Sequence, residues 1–356
     1  MTDSQNPLSK PHLTTRRVHP ENQETPIHFI ETDEISHHLF FKRNHFSYPT
    51  LPHSDYRLAI QGFVETPRLL SLQDLARLPP QTAKVVLECA GDKRSLFEPK
   101  VFGEQWDKGA ISQGHWKGVS LRTILEFAGI RKGAKEVVVE GYDYGERPDS
   151  EHFYSYMRSL PIEKALHPDT LIAYEYNNQP LPFKHGYPLR LIVPQWYAMA
   201  SVKWIKQITV IDSTFIGPYQ SNDYVYFPHK EHNEGAKPVT NINVNSTIQT
   251  PLNLDILSTG THVIKGIAWT GKGHITNIEI STDHGQTWSK AIFKKQEKPD
   301  YGWVSWSFIW TILEEGEFTI MSKATDSYYQ VQPVTPFWNR KGYGYNAVDQ
   351  IKVKIE

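Results

Sequence analysis

The sequence has little cysteine, no excess of either charge and no long apolar segment, and each shortage excludes a class of protein. One cysteine among 356 residues cannot form an intrachain disulfide. The 38 basic side chains balance 39 acidic ones, so the composition indicates neither nucleic acid nor an anionic membrane as a partner. No segment approaches the roughly 20 apolar residues that a membrane-spanning helix requires.

The beginning of the sequence also lacks the features of an export signal. The segment "MTDSQNPLSKPHLTTRRVHPENQETP" is polar and has no apolar core of signal-peptide length. Arg16 and Arg17 form a twin-arginine pair, but no hydrophobic segment follows them. We therefore expect a cytoplasmic protein, or a periplasmic one if the sequence is that of a processed mature form.

Composition and pattern together predict two domains after a polar arm. The chain is 39% hydrophobic and 22% charged, which is typical of a globular protein, and its length suggests two domains. Residues 1–25 are predicted to be a flexible arm. Residues 26–235 mix apolar strands with helices capped by Ser71 and Ser120, which predicts an α+β domain. Residues 236–356 show strands and turns without a helical period, which predicts an antiparallel β-sandwich.

The single cysteine, Cys89, follows an apolar strand and begins the turn "CAGDKR". A lone cysteine is most often a small buried apolar residue. Here Lys93 and Arg94 are close enough to favour the thiolate, which binds soft transition metals, and Gly91 allows close approach of a bound group. One thiolate cannot complete a zinc site, and the sequence has no CxxC or HExxH motif. Most ligands of a metal at Cys89 would therefore come from a cofactor.

Further clusters combine charged or polar side chains with short turns. Considered alone, each is more often a solvated loop than a functional site. Together they supply the cations and backbone N–H groups that hold an anionic cofactor. The clusters are the loop Arg43, Asn44 and His45; Asp143 after a strand; His185 and Arg190 around a proline turn; and the turn Ser201, Val202 and Lys203.

Five motifs, in order, resemble the molybdenum-binding domain of sulfite oxidases and eukaryotic nitrate reductases. They are "CAGDKR", "FGEQWDKGAISQGHWKGVSL", "HGYPLR", "SVKW" and "NDYVYF". The later segments "GIAWTGKGHITNIEISTDHGQTW" and "PFWNRKGYGYNA" resemble the immunoglobulin-like dimerisation domain of that family. The resemblance extends from about Phe40 to the C-terminus. It implies an α+β molybdopterin-binding domain (residues 26–235), an all-β immunoglobulin-like sandwich (residues 236–356) and a homodimer.

The same resemblance implies a molybdenum–molybdopterin cofactor, with Cys89 as the sulfur ligand that the protein provides to the metal. The pterin carries a phosphate, which suits arginine, lysine and backbone N–H donors. Nothing of cytochrome b5 length precedes Phe40, so we expect no haem in this chain and an external electron acceptor such as a cytochrome c. The implied cofactor-binding residues are Asn44, His45, Asp143, His185, Arg190, Ser201, Val202 and Lys203.

For the substrate, the resemblance implies sulfite, which is oxidised to sulfate by oxygen-atom transfer. Arg43 and Arg94 would bind the oxyanion, because guanidinium groups offer paired hydrogen bonds to such anions. Trp106 would form a wall of the pocket, and Tyr224 could hydrogen-bond an oxygen of the substrate. In vertebrate sulfite oxidases an arginine of the sandwich reaches this pocket, and Ser307 is expected near that position here.

Other functions stay open from the sequence. Nitrate reduction, or another oxygen-atom transfer to an oxyanion or sulfoxide at the same cofactor, would use the same cysteine and pterin residues. The segments "GAIS" and "DYVYF" favour the sulfite branch, and sulfoxide reductases of this superfamily resemble only the first domain. The segment "STDHGQTW" matches the Asp box of sialidases and other β-propellers and would indicate a glycan-binding protein. Propellers require repeated blades, and a single copy favours a hairpin turn.

Overall fold

The computed structural model describes residues 11–51, 55–147, 149–296 and 300–356. Within these ranges β-structure dominates, and none of the helices has the length and apolar character needed to cross a membrane. The α-helices are α1 (Leu72–Ala76), α2 (Leu121–Ala128) and α3 (Ile162–Ala165). Single-turn 3-10 helices lie at Ile27–Phe29, Arg94–Leu96, Phe183–His185 and Ala198–Ala200, and a π-helical turn at Pro218–Asp223.

The strands of the first part of the chain are β1 (Thr14–Arg17), β2 (Asn22–Glu24), β3 (Leu58–Gly62), β4 (Arg68–Leu70), β5 (Pro80–Glu88), β6 (Ile111–Ser120), β7 (Glu136–Arg147), β8 (Ser150–Pro161), β9 (Leu171–Tyr176), β10 (Gln179–Pro180), β11 (Arg190–Ile192), β12 (Ile205–Ile211) and β13 (Val225–Tyr226). Those of the second part are β14 (Lys237–Pro238), β15 (Asn245–Thr250), β16 (Ile256–Leu257), β17 (Gly260–Trp269), β18 (Ile275–Ser281), β19 (Ser289–Lys290), β20 (Ile292–Phe293), β21 (Val304–Ile312), β22 (Gly316–Asp326) and β23 (Asp349–Ile355).

Two five-stranded sheets form the first domain, by which we mean β3 to β12 and their connections. One has the order β4-β3-β12-β7-β8, in which β3 and β12 are parallel. The other has the order β10-β9-β6-β5, with β11 paired to β9. Apolar residues of the sheets, such as Ile60 and Val139, share a core with Ile124 of α2. Sheets and short helices thus form one layered core.

Serine residues precede the first turns of both α1 and α2, as the sequence predicts, but only one of them caps its helix. Ser71 caps α1 as predicted, because its Oγ accepts a hydrogen bond from the Asp74 backbone N–H at 3.1 Å. The Asp74 carboxylate in turn accepts a hydrogen bond from the Ser71 backbone N–H. Ser120 precedes α2 as predicted but makes no capping hydrogen bond, and its buried Oγ has no partner. The buried apolar face of α2 therefore holds the helix in place, and Gly129, at φ 74°, ends it.

An N-terminal hairpin replaces the expected flexible arm. Strands β1 and β2 pair in antiparallel register, and the Glu24 carboxylate is buried. Arg16 forms an ion pair with Glu24, and Arg17 lies 2.6 Å from an oxygen of Glu104. The expectation for residues 1–25 is therefore wrong for the part that the structure describes, because paired charges give this polar segment its contacts. Its first ten residues lie outside the described residues.

The second domain, β15 to β23, is a sandwich of two sheets. Their orders are β15-β17-β21-β20 and β16-β23-β22-β18-β19. Ile264 and Trp306 from the first sheet share an apolar core with Ile278 and Ile320 from the second. This agrees with the predicted all-β sandwich. The predicted boundary near residue 236 stays a prediction.

The segment "STDHGQTW" forms the turn between β18 and β19. The Ser281 hydroxyl donates to a carboxylate oxygen of Asp283 at 2.6 Å, and the Thr287 hydroxyl donates to the other at 2.6 Å. The Trp288 indole N–H donates to the carbonyl of Gly285 at 3.1 Å. These local bonds satisfy the Asp-box side chains within the turn, as the hairpin interpretation predicts.

Candidate active site

Cys89 lies where strand β5 ends and the chain turns back toward β6. Its backbone N–H donates to the carbonyl of Ala110 at 2.8 Å, and its own carbonyl accepts from Asp92 at 2.9 Å. The side chain is 7% exposed and borders a cavity. Burial raises the pKa of the thiol, and the positive charges of Arg43 and Arg94 oppose that rise. A metal that binds here would displace the thiol proton.

Cys89 shares this cavity with side chains from six other segments. The lining is rich in cations and aromatic rings and contains one carboxylate. Most of the residues predicted from the sequence are present, although they come from distant positions. The lining residues are Phe41, Lys42, Arg43, His45, Cys89, Ala90, Asp143, Tyr156, Lys184, His185, Arg190, Ala198, Met199, Ser201, Lys203 and Tyr224.

Sheet pairing and two glycines bring these segments together. Strands β7 and β12 are neighbours, so Asp143 and the turn that precedes β12 meet at one end of the sheet. A Cβ atom at Gly141 would lie 2.4 Å from a carboxylate oxygen of Asp143. Gly186 has φ 114°, and a Cβ there would lie 3.2 Å from the Cβ atoms of both Arg190 and Lys203. Only glycine allows the chain segments to approach this closely.

Buried Arg190 and half-buried Lys203 place two positive charges on the cavity. One guanidinium N–H of Arg190 donates to the carbonyl of His185 at 3.1 Å, whereas its buried Nε–H has no partner. Burial lowers the pKa of Arg190 to about 9. Burial also lowers the pKa of Lys203 well below its usual range, and neighbouring Arg190 lowers it further. Among the described residues, no carboxylate lies within ion-pair distance of either cation.

Asp143 is the carboxylate on the cavity wall. One of its oxygens is buried without a hydrogen-bond partner. Burial raises the pKa of Asp143 to about 7, although the positive charge of Lys203 opposes the rise. An unsatisfied buried oxygen is costly unless a bound group supplies a donor. Asp143 is therefore suited to accept a hydrogen bond from a ligand in the cavity.

The two histidines of the cavity are uncharged at neutral pH. Burial lowers the pKa of both His45 and His185 well below the usual value, and nearby cations add to the effect. The ring Nε2 of His185 is 3.0 Å from the carbonyl oxygen of His37, which requires the N–H to be on that nitrogen. The ring Nε2 of His45 lies 2.9 Å from the hydroxyl of Tyr224. Burial raises the pKa of Tyr224 well above its usual value, so this phenol keeps its proton.

Arg94 does not line the cavity. Its Nε–H donates to the carbonyls of Lys341 and Gly342 at 3.1 Å each, and another N–H donates to the carbonyl of Glu104 at 2.9 Å. The guanidinium also lies 5.1 Å from the ring centre of Tyr343. Arg94 thus connects the first domain to the second, close behind Cys89.

Trp106 also lies outside the cavity. It is fully buried in the apolar cluster that contains Cys89, and its indole N–H has no partner. Lys93 differs from expectation as well, because its ammonium group points away from the thiol and contacts Asn245 of the second domain at 2.7 Å. The positive charges near the thiol are instead those of Arg43 and Arg94.

Ser201 lines the cavity, and Asn44 and Val202 support it from behind. The Asn44 amide donates to the carbonyl of Glu21 at 2.7 Å and accepts from Lys203. The Ser201 hydroxyl accepts a hydrogen bond from the Val193 backbone N–H at 3.2 Å. The Val202 carbonyl accepts one from the Leu191 N–H in β11 at 2.8 Å. Their side chains and backbone hold the loop that presents Lys203.

The second domain approaches the site through a segment other than the one expected. Ser307 lies in the middle of β21, opposite Lys265, and borders a different surface groove. The expectation that Ser307 lies near the anion pocket is therefore wrong. The segment 341–344 reaches the first domain instead, since the Gly344 N–H donates to the carbonyl of Ala90 at 2.8 Å. The Lys341 ammonium lies 3.7 Å from Asp223.

Sequence reasoning missed Lys42 and Lys184, which line the mouth of the cavity. A carboxylate oxygen of Glu21 lies 2.8 Å from the Lys184 ammonium, and another lies 3.4 Å from that of Lys42. Burial alone would raise the pKa of Glu21, but hydrogen bonds from Lys184 and Tyr48 and the charge of Lys42 lower it to about 2. Both lysines adjoin predicted site residues in sequence, and that adjacency is the signal that could have found them.

Comparisons with known proteins identify the family of this chain. Residues 45–219 match the family model of the oxidoreductase molybdopterin binding domain, and residues 236–356 match that of the Mo-co oxidoreductase dimerisation domain. Mitochondrial sulfite oxidase of Rattus norvegicus is 33% identical over 99% of this chain and 67% of the rat protein. Sulfite oxidase of Arabidopsis thaliana is 30% identical over 95% of this chain and 93% of the plant protein.

Two further relatives broaden the comparison. Nitrate reductase [NADH] of Volvox carteri is 32% identical over 94% of this chain and 42% of the algal protein. The crystal structure of the sulfane dehydrogenase SoxCD from Paracoccus pantotrophus covers 98% of this chain and 92% of that chain, with 26% identity and a TM-score of 0.83. The resemblance inferred from the motifs is confirmed. This chain belongs to the sulfite oxidase family of molybdopterin-dependent oxidoreductases.

Proposed function

We propose that this protein oxidises sulfite to sulfate by molybdenum-dependent oxygen-atom transfer and passes the electrons to an external acceptor such as a cytochrome c. The observation that carries the proposal is one cavity that Cys89, Arg43 and Tyr224 all line. Sulfite oxidases of animals and a plant are similar to this chain over nearly all of its length.

The residues present fit a molybdenum–molybdopterin cofactor. The buried oxygen of Asp143 and the buried Nε–H of Arg190 have no partners, so a ligand with both donors and acceptors would satisfy them. The unpaired charges of Arg190 and Lys203 suit a phosphate. In this proposal Cys89 binds the metal, and the pterin is held by Asn44, His45, Asp143, His185, Arg190, Ser201, Val202 and Lys203.

When bound, the cofactor supplies the oxygen-atom transfer and takes up the two electrons of the oxidation. Arg43, half-buried on the same cavity, would orient the anionic substrate through its guanidinium group. Tyr224 would offer its hydroxyl, whose proton is retained because burial raises the pKa of this group. Neutral His45, 2.9 Å from that hydroxyl, fixes its direction. Together these three side chains favour a small oxyanion.

Arg94 and Trp106 act less directly in this proposal. Because the N–H groups of Arg94 bond main-chain carbonyls, we assign it the role of holding the segment 341–342 behind Cys89. Its positive charge still favours the thiolate. Trp106 packs in the cluster around Cys89 and would fix the position of that ligand. The match of residues 236–356 to a dimerisation domain supports a homodimer, for which light scattering at micromolar concentration is the test.

A second candidate is the oxidation of a more reduced sulfur compound. A sulfane dehydrogenase shares the fold over nearly the whole chain, which favours a sulfur substrate but not sulfite alone. Nitrate reduction is a third reaction of the same family, as the algal relative indicates. The three substrates would use the same cavity and differ in the direction of electron flow or in the sulfur group.

The test is sulfite-dependent reduction of ferricyanide by purified protein of known molybdenum content. We expect turnover that increases in proportion to bound molybdenum. Protein that carries molybdenum but does not oxidise sulfite would contradict the proposal. Thiosulfate as the reductant, or nitrate with a reduced viologen dye, would then decide between the other candidates.

A further inference from the structure

Arg158, in strand β8, is a buried cation that the sequence analysis did not select. It is 1% exposed, and one guanidinium N–H donates to the carbonyl of Tyr219. Its Nε–H is buried without a hydrogen-bond partner. Among the described residues no carboxylate lies within ion-pair distance of Arg158. A guanidinium buried in this way is costly, because neither a counter-charge nor a full set of acceptors replaces water.

The surroundings of Arg158 connect it to the substrate side of the cavity. Its guanidinium lies 5.4 Å from the ring centre of Tyr224, the tyrosine whose hydroxyl contacts His45. The His45 ring stacks on Tyr156 at 4.6 Å and meets the edge of Tyr219 at 4.7 Å. The carbonyl that Arg158 contacts belongs to the same Tyr219. Arg158 therefore lies directly behind Tyr224, which lines the cavity, and is connected to His45 through Tyr219.

Arg147 provides a comparison within the same cluster. Its guanidinium lies 4.9 Å from the ring centre of Tyr219, so it is also close to this aromatic group. Arg147, however, is neutralised by Asp223 at 2.6 Å and by Asp149 at 2.8 Å. Its charge is balanced within the protein. The charge of Arg158 is not, and an anion in the adjoining cavity would balance it.

We propose that Arg158 is a positioning residue whose fixed charge, behind Tyr224 and His45, strengthens the binding of an anionic substrate. The inference rests on the proposed function in so far as that substrate is an oxyanion. Arg158 acts through Tyr224: the cation holds the tyrosine ring, which in turn directs its hydroxyl into the cavity beside Arg43. The positive charge behind this part of the cavity therefore comes from the first domain.

The experiment compares three variants of the molybdenum-loaded protein. Arg158→Met removes the charge, Arg158→Lys retains it, and Arg147→Met removes a cation that is already neutralised. We expect Arg158→Met to raise both the KM for sulfite and the calorimetric dissociation constant for sulfate about tenfold, with kcat per molybdenum changed less than about twofold. Arg158→Lys should restore most of the affinity, and Arg147→Met should change the affinity less than Arg158→Met does.

Several results would overturn the inference. Unchanged KM and sulfate affinity in Arg158→Met would show that the charge does not reach the substrate. A fall in molybdenum content and kcat that Arg158→Lys fails to restore would assign Arg158 a structural role only. Should Arg158→Met fail to fold, reduced sulfate affinity in a folded Arg158→Lys would contradict the charge argument. Failure of the proposed function is distinguishable, because wild-type protein would then bind sulfate in calorimetry yet not oxidise sulfite.

Discussion

The buried charges on the two sides of Cys89 are organised differently. On the cavity side, the buried Nε–H of Arg190 has no hydrogen-bond partner, and among the described residues no carboxylate lies within ion-pair distance of this cation. On the other side, where the two domains meet, the Lys93 ammonium contacts Asn245 at 2.7 Å and the carbonyl of Ser246 at 3.1 Å. Both Lys93 and Arg190 are buried, but only Arg190 keeps a buried N–H without a partner. The satisfied cation joins the two domains, and the unsatisfied one faces the cavity.

Further contacts with the second domain lie close to the turn that follows β5. The Trp269 indole N–H donates to the Glu88 carboxylate at 2.8 Å, and burial raises the pKa of Glu88 to about 8. Nearby, Lys108 and Asp349 form an ion pair at 2.7 Å. The second domain therefore holds the residues on both sides of Cys89, while the thiol itself faces the cavity.

The largest expected effect is on turnover and comes from Cys89, which lies between the two regions. We expect Cys89→Ser to reduce turnover below about 1% of wild type, because a hydroxyl is a poor replacement for a soft thiolate ligand. The thermal unfolding temperature should stay close to that of the wild type, because the two side chains have similar size. Turnover per molybdenum equal to wild type would remove Cys89 from the metal site.

Lys93→Met should have the next largest effect, on stability. The substitution removes the donor to the Asn245 amide oxygen and the Ser246 carbonyl, which costs about 1–3 kcal/mol of the free energy of unfolding. Urea unfolding of the cofactor-free protein measures this loss. A stability equal to that of the wild type would show that the pairing between the domains is not structural.

Arg190→Met should not lower the free energy of unfolding of the cofactor-free protein, in contrast to Lys93→Met. Because Arg190 has no carboxylate partner, its replacement should leave the cofactor-free protein equally stable or more stable by about 1 kcal/mol. Cofactor content, measured from pterin fluorescence after oxidation, should fall strongly. Destabilisation as large as that of Lys93→Met would contradict the distinction between the two regions.

Glu21→Gln should produce the smallest effect, and it depends on pH. The pKa of Glu21 falls from 4.5 to about 2 on folding, so the charged carboxylate stabilises the fold above pH 4.5 and this contribution is lost as the pH falls toward 2. We expect the variant to be about 1 kcal/mol less stable than wild type at pH 7, with the difference shrinking below pH 4. A difference that is independent of pH would refute the ion-pair explanation.

The sequence predicted the residues that line the cavity better than the contacts that hold them in place. Motifs around Cys89, Arg190 and Lys203 identified the residues that line it, because short turns and cations are visible locally. The hairpin that holds Asn44 was missed, since its stabilising charges pair across segments that look like a polar arm. The resemblance implied a substrate role for Arg94, and no local signal in the sequence shows its main-chain acceptors, which lie 247 and 248 positions away.

The contact between the segment 341–344 and the turn after Cys89 has a consequence for biosynthesis. Arg94 and its acceptor in Lys341 are 247 positions apart, so the ribosome must release most of the second domain before that turn can be fixed. A nascent chain that presents only the first domain would offer an incompletely shaped cavity. Delivery of the cofactor is therefore expected to follow translation rather than to accompany it.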